Sequence, residues 1–105
     1  MAGLLRPVSV RILVDAIRQR HPDIPIHVHT HDTSGAGVAS MLAASEAGVD
    51  IFDVAVDSMS GMTSQPSMGA IVANLDTGID LVSLLRLNFY CPRKHGKITF
   101  QSSIL

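Results

Sequence analysis

The sequence predicts an α/β protein built on parallel strands, and three observations favour this class. Helical and strand-like stretches alternate along the chain in the order helix, strand, helix, strand, helix, which is typical of βαβ units. The second strand-like run, residues 49–56, is apolar and β-branched, as expected of a strand buried on both faces. A composition of 47% hydrophobic and 16% charged residues is that of a folded globular chain.

Length, charge and cysteine content exclude several classes of protein. The 105 residues allow one small domain with a modest core. A net charge of -1 gives no sign of a nucleic-acid partner, and the absence of an apolar run of about 18 residues predicts no membrane-spanning helix. The single cysteine, Cys91, excludes an internal disulfide and a cysteine-based metal knuckle.

The first helix is predicted to begin at Pro7, because a proline N–H is not needed in the first turn. Its apolar residues fall at i, i+3, i+4 and i+7, namely Val10, Leu13, Val14 and Ile17. Arg18 and Arg20 lie in the last turn, where the helix dipole favours cations. Pro22 and Pro25 end the helix and lead into a strand.

This first strand is predicted over residues 24–30, and it carries alternating histidines. His27, His29 and His31 would share one face if the strand continues through them. Two imidazoles near a strand end can bind one metal ion, of the kinds that imidazole favours. The alternative is a polar strand whose histidines have ordinary hydrogen-bond partners, since two histidines do not complete a coordination sphere.

A polar turn over residues 32–37 and a second helix follow this strand. Helical spacing places Val38, Met41, Leu42 and Ser45 on the buried side of the helix. An alanine-rich run through Ala47 has high helix propensity, and Gly48 is suited to the position just after the helix.

A long polar loop over residues 57–67 follows the second strand. Ser64 is predicted to cap a third helix that is broken at Gly78. The apolar residues of this helix are Met68, Ile71, Val72 and Leu75. Beyond it, residues 81–105 carry four basic residues and no acidic one, a change of composition that marks a basic tail or a junction.

Three motifs resemble the carboxyltransferase domain of pyruvate carboxylases. They are MAGLLRP at residues 1–7, HVHTHDTSGAG at 27–37 and VAVDSMSGMTSQPSMG at 54–69, in the family's order and spacing. These enzymes belong to a metal-dependent (β/α)8 barrel superfamily that includes 3-hydroxy-3-methylglutaryl-CoA lyase. Decarboxylase and transcarboxylase relatives share the paired histidines without both loops.

The resemblance implies a partial (β/α)8 TIM barrel, from the helix after strand five through the helix after strand seven. The active site of this fold lies at the C-terminal ends of the strands. We expect residues 1–81 to form the partial carboxyltransferase barrel. Residues 82–105 match nothing in the family and stay an unassigned, divergent basic tail, from either a misplaced splice junction or a lineage-specific extension.

The resemblance also implies a site. His29 and His31 correspond to the two histidines that bind the family's divalent metal, manganese or zinc, while His27 is expected in the barrel interior. The candidates for lining the substrate cavity are Thr63, Ser64 and Gln65. Asp53 and Asp57 have either an inward role near the mouth of the barrel or a capping role in the loop. None of the family's main catalytic side chains falls on this sequence.

The function implied is that of a fragment of a pyruvate carboxylase. In that family the carboxyltransferase domain moves CO2 from carboxybiotin to pyruvate, which gives oxaloacetate, and biotin is carried on another domain. The partners of the full-length enzyme are pyruvate and carboxybiotin, and the full-length parent is expected to be a homo-oligomer. Its location would be the mitochondrial matrix in a eukaryote and the cytoplasm otherwise; no targeting segment is expected in this chain.

We predict that the isolated chain is inactive. The family's other two protein ligands, an Asp on the first strand and a carboxylated Lys on the fifth, would precede residue 1. Two alternatives stay open, a fragment of a biotin-dependent decarboxylase or transcarboxylase, and a non-catalytic fragment that only associates with full-length subunits.

Overall fold

The chain alternates helices and strands over residues 2–75 and 97–100, which a computed structural model describes. The elements are α1 (Pro7–Arg20), β1 (His27–Val28), α2 (Gly37–Glu46), β2 (Ile51–Val54), a 3-10 turn (Asp57–Met59), α3 (Met68–Asn74) and β3 (Lys97–Phe100). The predicted order of helix, strand, helix, strand and helix is confirmed by α1, β1, α2, β2 and α3. β3 adds a strand within the unassigned segment 82–105. α3 ends at Asn74 and Leu75 is already extended, so the helix stops before the break predicted at Gly78, a residue that lies outside the described ones. Among the described residues, no helix has the length and apolar character needed to cross a bilayer.

The three strands form one parallel sheet in the order β1-β2-β3, so the predicted parallel arrangement is confirmed. β1 is shorter than the predicted strand over residues 24–30. Pro25 has no N–H to give to a ladder, and the carbonyl oxygen of Ile26 accepts from the N–H groups of both Asp50 and Ile51 at 3.1 Å. Regular pairing therefore begins only at His27.

α1 buries a narrower stripe than its apolar spacing predicts. Val10 and Val14 are almost fully buried and Ile17 is half-buried, but Leu13 is 55% exposed. α1 packs against α2, and this contact buries the i, i+4 row that faces the neighbouring helix. The flank of α1 that carries Leu13 remains in solvent.

α2 lies within one residue of its predicted boundaries, 38–47, and ends as the sequence indicated. Gly48 has a φ of +91°, a conformation that favours glycine. Its N–H donates to the carbonyl oxygen of Ser45 (3.0 Å), and the N–H of Val49 donates to that of Ala44 (3.1 Å). These two bonds make a Schellman motif, which satisfies the last carbonyl groups of the helix.

α3 is capped by Ser67, so the prediction of Ser64 as its cap is wrong. The Ser67 hydroxyl accepts from the N–H of Ala70 at 3.1 Å. Pro66 and Ser67 are still extended and bridge to Ala55: the Ala55 N–H donates to the Pro66 carbonyl oxygen at 3.0 Å. Because this bridge holds the chain extended through Ser67, the helix starts three residues later than Ser64 would allow.

Arg18 joins three segments at the end of the sheet where the strands begin. Its guanidinium donates to the carbonyl oxygens of Ile24 (2.6 Å) and Gly48 (2.8 Å) and pairs with the carboxylate of Asp50. Asp50 also accepts from the N–H of Ile26 at 2.8 Å. The sequence predicted only an interaction of Arg18 with the helix dipole, whereas the structure adds this set of contacts, here named the Arg18 clamp.

The hydrophobic core lies between one face of the sheet and the helices. Phe52 and Val54 of β2 are fully buried in it, and Val28 of β1 packs against it. The helices contribute Val10, Val14, Met41, Ala44, Met68, Ile71 and Val72. Since alternate residues of a strand point to opposite faces, His27 and Asp53 lie on the other face, which is polar.

Candidate metal centre

Two histidines and an aspartate meet where β1 and β2 end. The parallel register pairs His27 with Ile51. Two residues further along each chain, Asp53 is therefore level with His29. The carboxyl ends of parallel strands meet at one edge of a sheet, and His31 lies at this edge as well. The two rings that the alternation predicted on one face come together, with 3.3 Å between the Nε2 atoms of His29 and His31.

The Nδ1 atom of each ring faces an oxygen acceptor. Nδ1 of His29 lies 2.7 Å from Oδ2 of Asp53, and Nδ1 of His31 is hydrogen-bonded to the backbone carbonyl oxygen of Thr63. A carboxylate and a carbonyl oxygen only accept, so each Nδ1 must carry the proton. A neutral imidazole has a single N–H, and each Nε2 atom is therefore left with a lone pair.

These two lone pairs face each other. The ring centroids are 5.1 Å apart and the ring planes meet at 75°. Facing lone pairs repel, so the arrangement is favourable only when a proton or a cation lies between them. Two nitrogens that bind the same metal ion, each at about 2.1 Å, lie roughly 3.0–3.5 Å from each other. The observed distance of 3.3 Å between the Nε2 atoms fits this geometry. In the described ranges, no group of three or more His, Cys, Asp or Glu side chains is arranged to hold a metal, so the pair is an incomplete ligand set.

The loop that carries Thr63 is held against the turn that follows β1. The N–H of Asp32 donates to the carbonyl oxygen of Ser64 at 2.9 Å, and the N–H of Ser64 donates to that of Gly61 at 2.9 Å. Gly61 has a φ of +85°, which side chains other than glycine adopt at a cost. These backbone contacts fix the Thr63 carbonyl group beside His31.

Asp32 links the same turn to α2. Its Oδ1 accepts from the N–H of Gly37, the first residue of the helix, at 2.7 Å. A Cβ atom at Gly37 would lie 2.7 Å from this oxygen and 2.7 Å from Cγ of Pro66. Only glycine permits this close approach at position 37. The hydrogen bond from Gly37 to Asp32 joins the backbone next to His31 to the start of α2.

The three candidates for lining a substrate cavity occupy different environments. The side chain of Thr63 is exposed, Ser64 is half-buried and Gln65 is buried. Within the described part of the chain, Oγ of Ser64 and Oε1 of Gln65 are buried without a hydrogen-bond partner. The loop thus presents one exposed hydroxyl near the histidines and two oxygens directed away from solvent.

Asp53 and Asp57, whose roles the sequence left open, have different hydrogen-bond partners. Asp57 accepts from the hydroxyl of Ser67 and from the N–H of Gly69, both at 2.7 Å, and so it caps α3. Asp53 contacts His29 at the strand end. His27 also contacts Asp53, and half of the His27 side chain is exposed in this chain. Its place in the interior of a closed barrel stays a prediction.

Sequence reasoning missed two features of this site. Asp53 had no assigned partner, because only the strand register shows that it is level with His29. The bond from His31 to Thr63 uses a backbone atom, so no residue type signals it. The pattern that would have found Asp53 is an acidic residue within an otherwise apolar, buried strand.

Comparisons with known proteins give a consistent result. A family model described as HMGL-like matches residues 1–88. Mitochondrial pyruvate carboxylase of Homo sapiens is 68% identical over 101 residues, which cover 91% of this chain and 9% of the human protein. Pyruvate carboxylase 1 of Caenorhabditis elegans is 60% identical over 95 residues, which cover 86% of this chain and 8% of that protein. The chain therefore spans less than a tenth of the length of these relatives.

Solved structures agree. The carboxyl transferase domain of Rhizobium etli pyruvate carboxylase with oxamate and biotin has a TM-score of 0.74 and 48% identity, covering 82% of this chain and 15% of that one. The same domain with pyruvate has a TM-score of 0.68 and 54% identity, covering 72% of this chain and 13% of that one.

Proposed function

Because the chain belongs to the HMGL-like family, we propose that it is a segment of the carboxyltransferase domain of a pyruvate carboxylase. The resemblance carried by the three sequence motifs is confirmed by the curated and structural relatives, which are pyruvate carboxylases. For the whole protein we infer transfer of CO2 from carboxybiotin to pyruvate. The neighbours solved with pyruvate and with oxamate and biotin support these substrates.

The segment corresponds to part of a (β/α)8 barrel, from the helix after strand five through the helix after strand seven. The layering supports this proposal, because the helices cover one face of a parallel sheet and polar side chains lie on the other. The polar face would become the interior of a closed barrel. The loops after β1 and β2 would then lie at the end of the barrel where active sites occur.

His29 and His31 are the proposed ligands of a divalent metal, manganese or zinc. The observation that carries this proposal is the pair of Nε2 lone pairs that face each other across 3.3 Å. When bound, such a metal supplies positive charge that stabilises the negative charge developing on the enolate of pyruvate. The chain itself contributes the orientation of both imidazoles.

Several further assignments belong to the whole protein. Thr63, Ser64 and Gln65 are proposed to lie beside the substrate, since their loop contacts His31. Biotin is proposed to be carried on another domain, and the parent enzyme to be a homo-oligomer. The human relative is mitochondrial, which supports the mitochondrial matrix as the location.

Metal titration tests the site directly. We expect the full 105-residue chain to bind Zn²⁺ or Mn²⁺ weakly, because two imidazoles are an incomplete set. His29→Ala and His31→Ala should each weaken binding by more than about tenfold. His21→Ala is the matched control, since His21 lies at the C-terminal end of α1, away from the site. Equal affinity of all four proteins would contradict the proposal.

We expect the isolated chain to form no oxaloacetate from pyruvate and carboxybiotin. It supplies two metal ligands and no catalytic side chain of the family. A coupled assay that consumes NADH measures oxaloacetate, with full-length pyruvate carboxylase as the positive control. Turnover by the purified chain that His29→Ala abolishes would overturn this expectation.

A further inference from the structure

One carboxylate lies between two imidazoles on the polar face of the sheet. Oδ2 of Asp53 is 2.7 Å from Nδ1 of His29, and Oδ1 of Asp53 is 2.8 Å from Nε2 of His27. The Asp53 side chain is only 11% exposed, while those of His27 and His29 are 51% and 43% exposed. A nearly buried acceptor is thus shared by two rings that water can reach.

This arrangement fixes opposite tautomers on the two rings. An ionised carboxylate has no proton to donate, so each histidine nitrogen that contacts it must be an N–H. His29 is therefore protonated at Nδ1 and His27 at Nε2. For His29 the consequence is that the Nε2 lone pair points at His31.

We propose that Asp53 is the positioning residue of the candidate metal centre, and that His27 holds Asp53 in place. Asp53 sets the tautomer and ring orientation of His29, and His27 occupies the second carboxylate oxygen, which stops the carboxylate from rotating away. This role rests on the proposed function, in which His29 is a metal ligand. Carboxylates that orient metal-binding histidines change metal affinity by about 10- to 100-fold when removed.

His31 offers an internal comparison. Its Nδ1 proton is held by the backbone carbonyl group of Thr63, not by a side chain. Substitution of Asp53 should therefore release His29 and leave the tautomer of His31 unchanged. A general loosening of the fold would affect both rings.

The first test is imidazole nitrogen NMR on the metal-free, 105-residue chain at about pH 8.5, where free histidine is neutral. We expect Nδ1–H on His29 and His31, and Nε2–H on His27. Asp53→Asn retains one acceptor oxygen, so at most one of its two neighbours keeps its bond. Asp53→Leu removes both acceptors, and His29 should then change to the Nε2–H tautomer that free histidine favours.

Two further variants keep the test informative if Asp53→Leu does not fold. Asp57→Asn weakens the cap of α3 on the adjacent loop, and it should leave all three tautomers unchanged. His27→Gln changes a half-exposed position, and it should lower the population of the Nδ1–H tautomer of His29 without unfolding the chain. A wild-type His29 in the Nε2–H form, or an Nδ1–H form that persists in Asp53→Leu, would overturn the proposal.

The second test is titration with Zn²⁺ alone. Asp53→Leu, which leaves His29 no acceptor, should weaken binding by about 10- to 100-fold, and Asp57→Asn should leave it unchanged. Equal zinc affinity in wild type and a folded Asp53→Leu would overturn the role of Asp53 toward the metal. If wild type binds no zinc but the tautomers respond to Asp53, the positioning role is supported and the proposed metal function fails instead.

Discussion

At the scale of single residues, the candidate site depends on hydrogen bonds made by the far side of each imidazole. Asp53 holds His29 through a side chain, and Thr63 holds His31 through its backbone. The two histidines therefore differ in how they respond to substitution of their partners. A side chain can be removed by mutation, while a backbone carbonyl group is kept by every residue.

We predict that Thr63→Ala leaves zinc affinity within about twofold of wild type, because the residue is exposed and the carbonyl group that bonds to His31 remains. Gly61→Val should weaken zinc binding, since a β-branched residue at a φ of +85° shifts the loop and its carbonyl group. Isothermal titration with Zn²⁺ compares both variants with His31→Ala. A large loss in Thr63→Ala would show that the side chain matters after all.

At the scale of the elements, α1 is held to the sheet by more than its apolar stripe. The Arg18 clamp joins its last turn to the loops before β1 and β2. Arg20 lies in the same turn and is exposed. The two arginines look equivalent in the sequence, yet only Arg18 is placed to reach Gly48 and Asp50.

Arg18→Leu should lower the free energy of unfolding by about 2 kcal/mol, because several carbonyl groups and the Asp50 carboxylate lose a charged donor. Arg18→Lys should lower it by about 1 kcal/mol, since an ammonium lacks the planar fork. Arg20→Leu is the control and should stay within about 0.5 kcal/mol. Urea unfolding followed by circular dichroism measures all three, and an equal effect at Arg18 and Arg20 would argue against the clamp.

The elements also show how far local sequence signals reach. α2 was predicted with its end, because apolar spacing and Gly48 are local and agree with each other. The cap of α3 was wrongly predicted at Ser64. The bridge from Ala55 to Ser67, which moves the start of the helix, joins residues twelve positions apart along the sequence and has no local signal. Non-local contacts of this kind decide where an extended segment stops, and residue preferences alone do not contain them.

At the scale of the whole molecule, the sheet separates two kinds of contact. The Arg18 clamp lies where the strands begin, and the histidine site lies where they end. The outer side of α1 is apolar and exposed, with Val8 at 68% and Ile12 at 66%. In the barrel proposed above each helix has neighbours on both sides, and we expect this surface to contact them.

The candidate metal site was predicted only in part, because some of its contacts join residues that are far apart in the sequence. Alternation grouped His27, His29 and His31 on one face, and the family resemblance then selected His29 and His31 as the metal ligands. Asp53 lies 24 residues from His29, and their contact follows from strand register, which pairs His27 with Ile51. No local pattern fixes that register.

The substitutions Val8→Glu and Ile12→Lys, made together, should reduce self-association of the isolated chain. They replace two exposed apolar side chains by an i, i+4 ion pair that also supports the helix. Light scattering over a concentration series compares this variant with wild type. Ser9→Glu adds charge at an exposed position of the same helix and serves as the control; an equal reduction by Ser9→Glu would mean that charge alone, and not the apolar surface, controls association.

The contact between His31 and Thr63 has a consequence for how such sites diverge. Any amino acid at position 63 supplies the same carbonyl oxygen, so substitutions at this position during evolution do not remove the hydrogen bond. Pairwise covariation would not link positions 31 and 63, however many relatives were aligned. What descent must preserve is the path of the loop, so its length and the left-handed turn at Gly61 are the better markers in remote homologues.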